Sequence, residues 1–450
     1  MALSRFSFLL APVVLLAAAP PLSETYKDVS ARIVAAALAD QDGYAKLSYL
    51  CDRIGNRLSG SDSLNTAIAW AAAQMKRDGL ENVTTSPVKV PHWVRGREEA
   101  EMVKPVRHPL TMLGLGGSVS TPADGITAEV VPVSSFDALE ALGRAKVAGK
   151  IVLFNVPYEG YGKTVVYRGS GASRAAKLGA VAMLIRSVGS LAMQTPHTGA
   201  LNYSAADPKI PAAAITLEDA TLIQRLTDAG ETVSVHLYME AHMLPEADSA
   251  NVMGEITGRE RPEEIVVMGG HIDSWDVGAG AQDDGSGIIA ALEAVDIIRK
   301  LGLHPRRTLR VVFWTNEENG TAGGNAYRAM VGGKIHDYVA AIEMDGGAEK
   351  PVGFGVTPGG PALARVKEIG QLLESIGAGN IHEGGGGTDI GPLMRDGVPG
   401  LGLETVEQHY FDWHHTRTDT VDKIDPREFR QCIAAMAVMG YVLADMPNRL

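Results

Sequence analysis

Three patterns of apolar and polar residues follow one another along the chain. Over residues 30–80, apolar residues recur at helical spacing, which predicts helices that pack on a later sheet. Over residues 121–241, short β-type runs dominate and indicate a separate module. From residue 251 onward, apolar β-runs alternate with helical stretches, which is typical of βαβ units and a largely parallel sheet.

Individual elements follow from the same patterns. Prolines and glycines over 87–120 predict an irregular boundary before the module. A last helix should begin at Pro426, with Asp425 as its N-cap and Glu428 completing a capping box. The strands are predicted at 128–133, 150–154, 180–185, 233–239, 265–268, 309–314 and 339–344, with a helix at 172–178.

Composition and charge exclude some classes of function and of cellular location. The net charge of −12 over 450 residues, without a basic run, argues against a nucleic-acid partner. Arg5 and the apolar run 6–19 resemble a secretory signal peptide of about residues 1–22, which predicts export to the periplasm or the extracellular space. No later segment is long and apolar enough to span a membrane. The two cysteines, Cys51 and Cys432, could form a disulfide or be buried free thiols.

Cation-binding residues follow three of the predicted strands. "GGHIDSWDVGAGAQDDGSG" follows 265–268, "NEENG" follows 309–314 and "EMDGG" closes 339–344. The carboxyl ends of parallel strands meet at one edge of a sheet, so these residues should converge in one crevice. The adjacent carboxylates Asp283 and Asp284 repel each other unless a cation is present or one points away. Read alone, this pair could also be an Asp-Gly turn that caps a helix.

The residue types in the crevice suit zinc. Glu317 and Glu318 point in different directions, so one could bind metal while the other accepts a proton. Asp273 could accept the proton on the second nitrogen of His271, and Asp419 could do so for a later histidine. Zinc takes His nitrogen together with carboxylate oxygen, and two zincs that share one carboxylate need five ligands.

These motifs, with "HHTRTDT" at 414–420, resemble those of the M28 family of zinc exopeptidases. "GKIVLFNVP" and "SRAAKLGAVAMLI" resemble a protease-associated domain, a β-rich insertion found in such enzymes; an ordinary α/β subdomain is the alternative. The resemblance implies a mixed, largely parallel sheet sandwiched by helices, as in zinc aminopeptidases. It divides the chain into an N-terminal helical part of the catalytic domain (23–120), the insertion (121–241) and the catalytic zinc peptidase domain (242–450).

The resemblance also implies roles for single residues. It places one zinc on His271 and Asp345, a second on Glu318 and His415, and Asp283 between both; Glu317 matches the general acid/base and Asp273 the partner of His271. It further implies a cis peptide bond after Asp283. His415 is preferred over His414 because it has the His-Thr start and the four-residue spacing to Asp419, and His414 stays the alternative.

The implied activity is hydrolysis of unblocked dipeptides or short peptides by an enzyme with two zincs per chain, and the resemblance also suggests a homodimer. Two other functions share the fold: a receptor-like protein that has lost its metals, and a single-zinc cyclase of N-terminal glutamine. A full ligand set with Glu317 argues against the first, and a second-metal set plus the insertion argues against the second. The sequence contains no nucleophile elbow, phosphate loop or dinucleotide fingerprint.

Overall fold

The computed structural model describes residues 20–450, which form two eight-stranded mixed sheets with helices packed on them. Residues 1–19, which include most of the predicted signal segment, lie outside the described residues. Within 20–450, no helix combines the length and the apolar character that crossing a membrane would need.

The helices are α1 (Leu22–Thr25), α2 (Lys27–Ala39), α3 (Asp42–Tyr49), α4 (Asp62–Arg77), α5 (Phe136–Val147), α6 (Tyr161–Lys177), α7 (Leu217–Asp228), α8 (Ser286–Lys300), α9 (Ala322–Val331), α10 (Pro361–Gly370), α11 (Gly391–Arg395), α12 (Tyr410–Trp413) and α13 (Pro426–Asp445). Short π- or 3-10-helical turns cover Leu50–Ile54, Ala281–Gly285, Gly332–Asp337, Gln371–Ile376 and Val421–Lys423. The strands are β1 (Glu81–Val94), β2 (Glu98–Lys104), β3 (His108–Leu110), β4 (Met112–Gly114), β5 (Ile126–Val133), β6 (Ile151–Phe154), β7 (Ala182–Arg186), β8 (Ala212–Ile215), β9 (Ser234–Met239), β10 (His242–Ile256), β11 (Arg261–His271), β12 (Arg307–Trp314), β13 (Tyr338–Glu343), β14 (Pro351–Thr357), β15 (Asn380–Glu383) and β16 (Gly400–Thr405).

The first sheet has the order β1-β10-β12-β11-β13-β16-β14-β15. Its centre is parallel, because β11 pairs in parallel with β12 and β13, and β13 with β16. Side chains of β12 alternate between two hydrophobic cores: Phe313 packs in the core of α2, α8 and α13, and Trp314 packs in the core of α9 on the other face. Both faces are therefore covered, which confirms the predicted sheet between helices.

The second sheet has the order β3-β2-β9-β5-β6-β7-β8-β4, with α5, α6 and α7 beside it. The strands predicted over 128–239 are present within one or two residues, and the predicted helix at 172–178 is the end of the longer α6. The sheet takes β2, β3 and β4 from before residue 121, so it extends beyond the segment predicted for the insertion.

The predicted irregular boundary over 87–120 is wrong, because β1 to β4 occupy most of it. Pro87 and Pro91 lie in β1 and Pro109 lies in β3, and each of these strands forms the outer edge of its sheet. Proline lacks the N–H that a central strand needs but is tolerated at an edge. A pattern rule that treats proline as a breaker therefore fails here.

Two smaller predictions concern the cap of the last helix and the two cysteines. Asp425 caps α13, since its Oδ1 accepts the N–H of Arg427 at 2.7 Å. From Cys432 to Asp445 every residue of α13 is buried, and the helix packs against α2 and α8. Cys51 and Cys432 are both buried free thiols, so the disulfide alternative does not apply.

Candidate metal centre

The predicted ligands converge where three neighbouring strands end. His271 is the last residue of β11, Asp345 follows β13 by two residues, and Glu317 and Glu318 follow β12. The order β12-β11-β13 with parallel pairing brings these ends to one edge of the sheet. Asp283 joins them from the turn Ala281–Gly285, directly before α8.

Asp283 lies between two imidazoles. Its Oδ1 is 3.2 Å from His271 Nε2, and its Oδ2 is 3.2 Å from His415 Nε2. Asp345 Oδ1 is 3.3 Å from His271 Nε2, and Glu318 Oε2 is 3.1 Å from His415 Nε2. The five side chains thus form two groups, each with one histidine and one carboxylate, that share Asp283.

Glu317 and Glu318 occupy different environments although they are neighbours. Glu318 is held at both oxygens, because Oε1 accepts the N–H of Trp275 at 3.1 Å and Oε2 faces His415. Glu317 Oε2 is 4.0 Å from His271 Nε2, and its side chain is 19% exposed. Both glutamates border the same two cavities of about 340 Å³ each, one of which also contains Asp345, but the side chain of Glu318 is only 2% exposed.

Asp273 supports the centre in a way that differs from the prediction. The Nδ1 of His271 lies 2.9 Å from the backbone carbonyl of Asp273, whereas the Asp273 carboxylate is 3.8 Å away. That carboxylate instead accepts the N–H groups of Glu317 at 3.0 Å and Glu318 at 3.3 Å. The tight His-x-Asp turn brings the carbonyl to the ring first and leaves the carboxylate free to orient the next strand end.

Asp419 and Asp284 also hold backbone. The Asp419 carboxylate accepts N–H groups of the turn that carries Asp283, at 2.7 to 3.2 Å. The sequence had predicted a contact with a histidine instead. Asp284 points away from the centre, where it accepts the N–H groups of His271 and Gly287 at 3.0 Å. The peptide bond between Asp283 and Asp284 is cis, as the resemblance implied. These contacts explain how two adjacent buried carboxylates coexist.

The choice between the two consecutive histidines is visible in the geometry. His415 Nε2 reaches Asp283 and Glu318, whereas His414 Nε2 is 3.5 Å from Asp283. The His414 ring stacks on His415 with centroids 3.5 Å apart. Nδ1 of His415 is 3.4 Å from the carbonyl of Thr198, which lies after β7 of the second sheet. The inserted segment therefore orients the ring of His415.

Burial dominates the electrostatics of the centre. Burial raises the pKa of Glu317 well above its usual value and that of Glu318 to about 7. Burial by itself lowers the pKa of His415, but the carboxylates of Glu318 and Asp283 raise it to about 10. For Asp283, burial raises the pKa, and the hydrogen bonds from His271 and His415 outweigh it and hold the pKa well below normal.

The donor set fits divalent cations. Two histidines cannot neutralise the carboxylates around them, because Glu343 and Asp389 are buried nearby in addition to the carboxylates already described. Ligand atoms about 2.1 Å from a tetrahedral zinc lie roughly 3.4 Å from one another. The 3.1 to 3.3 Å separations of the nitrogen and oxygen atoms match that spacing. His271, Asp283 and Asp345 form one candidate group; Asp283 with His414 and His415 forms another.

Two arginines near the centre were not found from the sequence. Arg57 is fully buried and donates to backbone carbonyls of the loop between β11 and Asp283. Arg168, on α6, reaches the cavity that contains Asp345. Both contact groups that lie more than 200 residues away in the sequence. No local spacing or composition distinguishes either arginine from the others.

Comparison with known proteins agrees with this geometry. The sequence matches peptidase family M28 over residues 251–439 and the PA domain over residues 120–223. It is 44% identical over 428 residues to carboxypeptidase Q of Mus musculus, covering 94% of this chain and 91% of that protein. It is 45% identical over 430 residues to carboxypeptidase Q of Xenopus laevis, covering 95% and 91%.

Solved structures show the same relationship. A peptidase M28 precursor from Shewanella amazonensis superposes with a TM-score of 0.92 at 33% identity, covering 95% of this chain and 98% of that one. An aminopeptidase from an Aneurinibacillus strain shares the fold, with a TM-score of 0.67 at 21% identity over 94% and 97% of the chains. The resemblance stated from the motifs is confirmed, and the chain belongs to peptidase family M28 and carries a PA domain.

Proposed function

We propose that this M28 peptidase is a co-catalytic di-zinc exopeptidase that hydrolyses unblocked dipeptides or short peptides. The observation that carries the proposal is Asp283, whose two oxygens face different histidines at equal distances of 3.2 Å. His271 and Asp345 would hold one zinc, His415 and Glu318 the second, and Asp283 both. When bound there, zinc would polarise the scissile carbonyl and make water a stronger acid.

Glu317 would serve as the general base. Burial raises the pKa of its carboxyl, so the group accepts a proton from water more readily than an exposed glutamate does. Its side chain is 19% exposed at the cavities, so the same carboxyl can hand that proton to the leaving amine. Asp273 keeps Glu317 in place by accepting its backbone N–H. Glu318, held at both oxygens, is poorly placed for proton transfer.

The related functions predict different sites. A protein that has lost its metals has no need for Glu317 at an open cavity beside the two ligand groups. A single-zinc cyclase has no need for an aspartate whose oxygens face two histidines. The names of the relatives, carboxypeptidase Q and aminopeptidase, support an exopeptidase.

Zinc content tests the metal part of the proposal. Purified protein should contain two zincs per chain by elemental analysis, and Asp283→Asn should hold fewer than either wild type or Asp422→Asn, an exposed control. A folded, active protein with one zinc would contradict the two-metal arrangement.

Two matched substitutions test the division of labour. Glu317→Gln should keep both zincs and lower kcat by roughly 10²- to 10⁴-fold, the usual cost of removing a general base. Glu318→Gln should weaken zinc binding as well, because it replaces a ligand oxygen. If Glu317→Gln lost zinc while Glu318→Gln kept it, the two residues would have exchanged roles.

We also propose that the protein is exported and that it forms a homodimer. The apolar run 6–19 supports export, which protease accessibility of the protein in intact producing cells would test. Sedimentation equilibrium would give about twice 47.6 kDa for a dimer and 47.6 kDa for a monomer, before any signal segment is removed.

A further inference from the structure

The two histidines of the centre have the same kind of support, but it comes from different parts of the fold. Nδ1 of His271 lies 2.9 Å from the carbonyl of Asp273, two residues away in the same strand-end turn. Nδ1 of His415 lies 3.4 Å from the carbonyl of Thr198, 217 residues away in the segment between β7 and β8. A metal-bound histidine commonly donates its second ring N–H to such a carbonyl, which fixes the orientation of the ring. The second-sheet domain, formed by β2 to β9 with their helices, therefore orients only one of the two rings.

Residues 197–198 also hold the backbone at His415. The Thr198 N–H donates to the His415 carbonyl at 2.9 Å. A carbonyl can only accept, so Nδ1 of His197 donates to the His414 carbonyl, at 2.8 Å. His415 has a φ of +61°, a left-handed conformation that is uncommon for residues other than glycine and persists where surrounding contacts enforce it. The contacts from residues 197–198 supply this constraint at the metal ligand itself.

The two supporting residues are firmly held in turn. His197 and Thr198 are both buried. The His197 ring packs directly on the backbone of Gly189, where an added Cβ would lie 2.3 Å from Nε2. Thr198 Oγ1 donates to the Gly114 carbonyl at 2.8 Å. The position of His415 is therefore tied to the packing of the second-sheet domain.

Glu318, the carboxylate beside His415, depends on the same domain. Its Oε1 accepts the N–H of Trp275 at 3.1 Å. The Trp275 side chain packs in the hydrophobic core of the second sheet, where it lies against Gly116. Its ring centroid is also 5.6 Å from that of His415. A shift of the second sheet would thus move the supports of both side chains.

The group of His271 and Asp345 is supported from within the first sheet. The backbone N–H of His271 donates to Asp284 Oδ2 at 3.0 Å, and its ring faces the Asp273 carbonyl. Asp345 lies 3.3 Å from the same ring and follows β13 of the first sheet. These contacts come from strand ends and their loops, so they do not depend on how the second sheet is placed.

We propose that the second-sheet domain builds one of the two zinc sites: residues 197–198 position His415, so the zinc at His415 and Glu318 requires the docked domain, and the zinc at His271 and Asp345 does not. This inference rests on the proposed function and adds that the two sites differ in what holds them. His197 is a positioning residue, because it contacts a backbone carbonyl and not the metal.

Zinc titration of the full chain, in solutions of buffered free zinc, tests the proposal. His197→Leu removes the donor to the His414 carbonyl and should weaken one of two zincs by roughly 10- to 100-fold, the usual cost of losing an outer partner of a metal ligand. The other zinc should bind as in wild type. His197→Asn, whose amide can donate to the same carbonyl, should restore most of the affinity. His236→Leu, a partly exposed histidine of the same domain, should bind zinc like wild type.

Double substitutions identify which zinc is weakened. Asp345→Asn removes a ligand of one site, and Glu318→Gln removes a ligand of the other. His197→Leu combined with Asp345→Asn should weaken both zincs. Combined with Glu318→Gln it should leave the zinc at His271 unchanged, because both substitutions act on the same site.

A pair of glycines keeps the test decisive if His197→Leu does not fold. Gly116→Ala would place a methyl group 2.0 Å from the Trp275 ring, so it should displace the support of Glu318 and weaken the same zinc. Gly162→Ala, on α6 with open space around the added carbon, is the matched control.

Distinct outcomes overturn the two proposals. In folded His197→Leu, equal weakening of both zincs, weakening at His271 alone or unchanged binding would each exclude a positioning role for residues 197–198, and the same results in Gly116→Ala decide if His197→Leu is unfolded. A loss that His197→Asn does not reverse would exclude the hydrogen bond to His414 as its cause. Wild-type protein that binds fewer than two zincs would overturn the two-zinc part of the proposed function together with this inference.

Discussion

Arg57 offers a strong test of how the centre is held together. Its side chain is fully buried, and its guanidinium donates to the carbonyls of Gly55, Ile272, Ala279 and Gly280 at 2.7 to 3.1 Å. Three of these carbonyls belong to the loop from β11 to the turn that carries Asp283. Arg57→Met keeps much of the apolar stem and removes all four hydrogen bonds.

The magnitude follows from these contacts. The carbonyl of Gly280 also accepts the N–H of Gly285 at 3.0 Å and would keep a donor, so Arg57→Met leaves three carbonyls without one. A buried carbonyl left without a donor costs roughly 1–3 kcal/mol, which sets a range of roughly 3–9 kcal/mol. Burial lowers the pKa of the guanidinium, which shows that its charge is itself costly here, and removing that charge offsets part of the loss. We expect the free energy of unfolding to fall by about 4 kcal/mol, a large share of the roughly 5–15 kcal/mol of a native protein.

Urea unfolding of zinc-loaded protein measures this loss. Arg53→Met, an exposed arginine one turn earlier in the chain, is the matched control and should unfold like wild type. Arg57→Lys should recover only part of the stability, because a compact ammonium cannot reach carbonyls on both sides of the loop. If Arg57→Met and Arg53→Met unfolded within 1 kcal/mol of each other, as an order-of-magnitude threshold, the guanidinium would not hold the loop.

Three further results are expected. Chelation of zinc should lower Tm, since a ligand at about 1,000 times its Kd adds roughly 4 kcal/mol to the free energy of unfolding, and an unchanged Tm would count against a metal centre. Burial lowers the pKa of His197 from 6.5 to about 4. As the pH falls through this range, the unfolded chain binds a proton before the native protein does, so the free energy of unfolding should fall by up to roughly 3 kcal/mol. His197→Asn, which can still donate to the His414 carbonyl, should remove that part of the slope; identical slopes in urea titrations would contradict it. Without reductant, a thiol reagent should label neither Cys51 nor Cys432 in native protein and both after unfolding, and a failure to label after unfolding would indicate a disulfide.

Hydrophobic periodicity and the residues at strand ends predicted much of the fold and of the candidate site. Alternation of apolar runs and helical stretches after residue 251 predicts parallel strands, and the residues directly after parallel strands lie at one edge of the sheet. His271 and Asp345 are found by that rule, because each lies directly at a strand end. Pattern reading failed for 87–120, where proline occurs in strands at sheet edges and edge position cannot be read from local sequence.

Only the tertiary structure decided how these groups are held. The sequence assigned Asp273 and Asp419 to histidines, and the folded chain turns both carboxylates toward backbone N–H groups. Arg57 and Arg168 reach the centre from more than 200 residues away. Residue spacing specifies which face of an element is buried, but the partner on the other side depends on how distant elements pack. Ligand types are therefore readable in the sequence, and their support is a property of the fold.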